Sequence, residues 1–81
     1  MPATIESITR IAREAARETG EFDVLGVIPA EGGSYAEILL SVRGCRIDPC
    51  RFALGVLRNE SEEQPRQTIV DQLRTHVRGR P

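Results

Sequence analysis

The chain has 81 residues, a formal charge of −1, and 40% hydrophobic against 28% charged content, the proportions of one small soluble domain spanning residues 1–81 with no room for a second. All 11 of its strong cations are arginine, so Schiff-base chemistry and the phosphate-gripping lysine of a Walker P-loop are excluded. With no Trp, one Tyr and two Phe, it has few stacking platforms for single-stranded nucleic acid, and its near-neutral charge disfavours nucleic acid as a partner.

The opening MPATIESITR lacks the basic flank and apolar run of a secretory signal. The expected compartment is the cytoplasm, with both cysteines reduced. Residues 4–19 set Ile5, Ile8, Ala12, Ala15 and Thr19 along one face of a 3.6-residue helix. Its charged side offers Glu6–Arg10, Arg10–Glu14 and Arg17–Glu21 as opposite-sign pairs four apart, and Gly20 supplies the stop.

From 22 to 28 the period becomes two, placing Phe22, Val24, Gly26 and Ile28 on one side and Asp23, Leu25 and Val27 on the other. Pro29 is expected to end this strand, and the glycines of Ala30-Glu31-Gly32-Gly33 to turn it back. The return strand, 34–43, alternates Ala36, Ile38, Leu40 and Val42 against Tyr35, Glu37, Leu39, Ser41 and Arg43. A turn through 44–49 leads to a third strand over 51–58, making an antiparallel meander.

Ser61 and Gln64 form a capping-box signal for a second helix, with Pro65 in its first turn and Ile69, Val70, Leu73 and Val77 as its apolar stripe. Residues 79–81 read as a loose tail. The result is an α+β fold of order α-β-β-β-α, a two-layer sandwich with a three-stranded antiparallel meander and both helices on one face. No apolar run approaches the ~20 residues of a membrane helix, so no membrane association is expected.

That order of elements resembles the double-stranded-RNA-binding domain over most of the chain, in topology and not in motif. The resemblance implies a lysine-rich start to the second helix and a basic first hairpin. This chain has Glu60, Glu62 and Glu63 at the first place and Glu31 at the second, where like charge would repel a phosphate backbone.

The densest chemistry lies in 43–51, where Cys45 and Cys50 stand among Arg43, Arg46 and Arg51. Nearby guanidinium groups favour thiolates, so the two cysteines form a candidate redox pair, weighed against one being a small core residue and the other a turn residue. With Asp48 and His76 they are usable zinc ligand types, but one chain supplies only three strong ligands, and no metal or cofactor is expected. Arg43, Arg46 and Arg51, with Arg58, form a candidate anion site, weighed against pairing in solvent with Glu37 or Asp48. No GxSxG string or second histidine is present, His76 sits at the margin of an apolar stripe, and Glu62 with Glu63 are helix-start residues, so no catalytic constellation emerges.

The reverse side of the sheet is more apolar than a solvated face requires. Leu25, Val27, Tyr35, Leu39 and Leu57 are the expected interaction face, edged by Glu37, Arg43 and Arg51. The expected function is a non-enzymatic interaction module that forms a homodimer or binds a protein partner. A thiol redox or ligand-responsive protein is the rival reading, and a nucleic-acid-binding domain the third.

Overall fold

A computed structural model describes residues 4–54 and 63–79. Helix α1 (Ile5–Thr19) begins at Thr4, whose hydroxyl accepts the Ser7 N–H while the Ser7 hydroxyl accepts the Thr4 N–H at 2.8 Å. This is a capping box with serine in the place usual for glutamate. Gly20 ends the helix in the left-handed region, φ 65°, and returns its N–H to Ala16. Ile8, Ala12 and Ala15 are buried, and the two alanines let the helix lie close to the sheet.

Four strands follow: β1 (Asp23–Ala30), β2 (Tyr35–Val42), β3 (Cys45–Arg46) and β4 (Cys50–Ala53), all pairing antiparallel with β2 at the centre. β3 and β4 lie end to end along the same edge of β2. Between them residues 47–49 form a bulge, with one more residue on this track than on β2 opposite. The sheet therefore has three tracks, the meander expected from alternation. Helix α2 (Glu63–Arg78) completes the order α-β-β-β-α.

One buried cluster joins Ile8, Ala12 and Ala15 of α1, Ala36, Ile38 and Leu40 of β2, Phe52 of β4, and Ile69, Leu73 and Val77 of α2. Both helices thus cover one face of the sheet, in the two-layer α+β arrangement.

Several local expectations are corrected. Pro29 lies inside β1 opposite Ala36 rather than ending it, as an edge strand tolerates. The second hairpin turns on Arg43 and Gly44 alone, both at positive φ (53° and 80°), because a two-residue loop matches the twist of the strands only with that geometry. The third track accordingly starts at Cys45, earlier than expected, and its strand ends at Ala53. Gly79 donates its N–H to Thr75, continuing the helical pattern one residue into the expected tail. Val56, Leu57, Arg58, Glu60, Ser61 and Glu62 lie outside the described residues.

The ion pairs expected along α1 give way to pairs with α2, from α1 itself and from Glu21 just past its stop. Glu14 and Glu18 meet Arg66 at 2.6 and 3.6 Å, and Glu21 meets Arg78 and Arg74 at 2.7 and 3.5 Å. The partners ascend together in both helices, so α1 and α2 run alongside each other in the same sense.

Candidate functional site

The face of the sheet away from the helices is built in rows by the strand register. Ala30, Tyr35 and Ala53 form one row, Ile28, Glu37 and Arg51 the next, and Asp23, Ser41 and Arg46 the last. Between the second and last rows the register slips, because Val24 opposes Leu40 while Gly26 opposes Leu39. Leu25 is the extra residue of a β-bulge, and it shares with Gly26 the place opposite Leu39.

The bulge reverses the alternation of everything after it. Val27 now stands opposite Ile38 and packs against the core, so it leaves the open face to which strict alternation assigned it. Ile28 takes the opposite course, standing beside Glu37 on the open face at 44% exposure. Leu25 is 50% exposed, and Tyr35 and Leu39 are half-buried on the same face. Leu57 lies outside the described residues. Among the described residues Leu25, Ile28, Tyr35 and Leu39 are the open face's large apolar residues, and the missed one, Ile28, had a signal in the sequence: a lone glycine, Gly26, inside a strand pattern marks a bulge.

The three candidate anion-site arginines do not converge. Arg51 is held by Glu37 at 3.1 Å and Glu31 at 3.2 Å, and its guanidinium lies over the Tyr35 ring, 4.9 Å from the centroid. Its charge is thus met within the chain. Arg46 stands four β2 positions away, about 13 Å at the usual strand rise, and Arg43 is in the tight turn. Arg43 lines a cleft of about 700 Å³ at one end of the molecule, together with Glu21, Asp23 and Arg78.

Cys45 and Cys50 are also kept apart. They oppose Val42 and Ile38, four residues apart on β2, which separates them by about 13 Å. A disulfide needs Cα atoms within about 7 Å, so the fold does not bring this pair together. Cys45 is exposed, whereas Cys50 is 6% exposed within the core cluster. Burial pushes the Cys50 thiol up to about 11, the reverse of the thiolate activation expected from its arginine neighbours. Cys50 and His76 line an open cleft of about 430 Å³ with Asp71, Gln72 and Thr75. There His76 Nε2 lies 2.7 Å from the Asp48 main-chain oxygen, so as a donor it ties α2 to the bulge between β3 and β4. Among the described residues no three of His, Cys, Asp and Glu stand close enough to hold a metal.

Glu21 is held by two arginines of α2, Arg78 and Arg74. Its hydrogen bond from Arg78, reinforced by the charges of Arg78 and Arg74, holds its carboxyl below the ordinary glutamate range against the opposing effect of desolvation. The folded chain therefore gives up this proton more readily than the unfolded one. The stabilisation is present above the unfolded value of about 4.5 and is lost as pH falls through the lower folded value. The melting temperature of the wild type should drop more steeply than that of Glu21→Gln between about pH 5 and pH 3, as read by circular dichroism. Parallel curves would show that Glu21 is not coupled to folding.

Among the described residues no helix is long and apolar enough to cross a membrane. No family model, curated protein or solved structure matches this chain.

Proposed function

We propose that this chain is a non-catalytic interaction module that self-associates through the open face of its sheet. The observation that carries the reading is where the exposed apolar surface falls. Among the described residues the exposed large hydrophobics are Leu25 and Ile28, and both flank Leu39 on the side the helices leave uncovered. Isolated apolar residues on a surface need no explanation, but a group on one face, rimmed by charge, is the pattern of a contact surface.

The face is small. Three tracks about 4.8 Å apart and strands of eight residues at about 3.3 Å each give a footprint near 400 Å². Doubled over two copies, this falls short of the about 1,200 Å² at which stable specific interfaces begin, so association is weak and exchanging. Light scattering and sedimentation from tens of micromolar to millimolar protein should show a concentration-dependent dimer. Ile28→Glu and Leu39→Glu should each weaken it by about 30-fold or more, the loss typical of an interface anchor. Ile28 is exposed and its replacement leaves the fold intact, which separates an interface effect from unfolding. A strict monomer throughout, or a dimer indifferent to both changes, would overturn the reading.

A further inference from the structure

We propose that the second copy packs face to face about a two-fold axis parallel to β2, with Leu39 against its own counterpart and Asp23 of each copy against Arg46 of the other. This inference rests on the self-association proposed above and adds its geometry. The argument comes from how charge is divided between the tracks of the sheet.

On the open face the β3/β4 track carries both cations, Arg46 and Arg51, while the β1 track carries Asp23, Leu25, Ile28 and Ala30. Asp23 and Arg46 flank Ser41 from opposite sides in one row, about 10 Å apart across two strand spacings. Both are exposed, and among the described residues neither side chain has an ion pair or hydrogen bond. They are an acid and a base on one face that do not pair with each other.

With their strands kept aligned, two identical sheets can meet face to face about either of two in-plane axes. An axis across the strands lays each track on its own copy, so Asp23 meets only the β1 residues Asp23, Leu25, Ile28 and Ala30, and Arg46 meets a track whose other cation, Arg51, is already held by Glu37 and Glu31. Neither unpaired charge then gains a partner of opposite sign. An axis along β2 exchanges the outer tracks. Asp23 then faces Arg46 twice by symmetry, Ile28 faces the aliphatic stem of Arg51, and Leu39 and Tyr35 face their own counterparts. Glu37 also faces itself there, but its charge is already met by Arg51 at 3.1 Å. Twisted sheets stack at about 30°, which moves the outer rows by only a few ångströms, within the span of an arginine.

The test is a charge exchange read by sedimentation at a concentration where the wild type is mostly dimeric. Asp23→Arg alone sets a second guanidinium against that of Arg46 in the other copy. Arg46→Asp alone sets a second carboxylate against that of Asp23. Each change is expected to weaken the dimer by at least tenfold. An equimolar mixture of the two variants should associate again, because both of these contacts in the mixed dimer then join opposite charges. High salt should weaken the wild type and the mixed dimer together. A wild-type dimer that both variants form equally well, or a mixture no tighter than its parts, overturns this geometry while leaving self-association standing. A wild-type monomer at every concentration overturns both.

Discussion

Replacing Leu73 by alanine is expected to lower the stability of the fold by about 2–5 kcal/mol, the range for emptying a leucine site in a core that cannot fully collapse. Leu73 is 0% exposed, midway along the stripe Ile69, Leu73 and Val77 by which α2 joins the buried cluster. A chain of this length has roughly 4–12 kcal/mol to lose in total, so this one change removes from about a sixth to all of it. The melting temperature should fall by about 10–30 °C, measured by far-ultraviolet circular dichroism. Leu25→Ala is the control, since a half-exposed residue on the open face should change stability by no more than about 0.5 kcal/mol. Equal losses from the two would mean that the core does not lie between the helices and the sheet.

The contrast between these two leucines shows which parts of the fold could be read from residues alone. The α1 and α2 stripes were legible because a helix carries its own period: Ile8, Ala12 and Ala15, and Ile69, Leu73 and Val77, keep the same face whatever they pack against. β2 was legible for a similar reason, with Ala36, Ile38, Leu40 and Val42 all buried on one side and, of the other side's residues, only Ser41 buried. β1 was not, because Val24-Leu25-Gly26-Val27-Ile28 is apolar or neutral at every step and so has no polar residue to anchor which side is which. One added residue at Leu25 then exchanged Val27 and Ile28 between core and open face. Only the cross-strand register reveals it.

The candidate site divides along the same line. Leu25, Tyr35 and Leu39 stand on the open face as alternation placed them, while the arginines and cysteines of residues 43–51 looked clustered only because they are close in sequence. An extended strand spreads neighbours in sequence by about 3.3 Å each, so a dense string becomes a line. The charge pairs of α1 were misread for the converse reason. Glu14 and Glu21 have candidate partners four residues away, yet the arginines of α2, far off in sequence, reach them at 2.6 and 2.7 Å. Arg51 was the exception, since its expected partner Glu37 is its cross-strand neighbour.

The two thiols should differ in reactivity by at least about 100-fold in the native state. With the Cys50 thiol pushed up to about 11, roughly one molecule in a thousand carries its thiolate at pH 8, and the side chain is 6% exposed beneath the helical layer. Cys45 lies open on the two-residue strand β3. A chromogenic disulfide reagent should therefore release one equivalent quickly and the second only as fast as the core opens, and denaturant should bring the two rates together. Leu73→Ala should speed the second phase and leave the first unchanged, because the same cluster buries Leu73 and Cys50. Mild oxidation of the monomer should not remove the mass of two hydrogens, since about 13 Å separates the two positions along the strand. Two equally fast thiols in the folded chain, or an internal bridge formed without unfolding, would place Cys50 at the surface and return the redox pair to consideration.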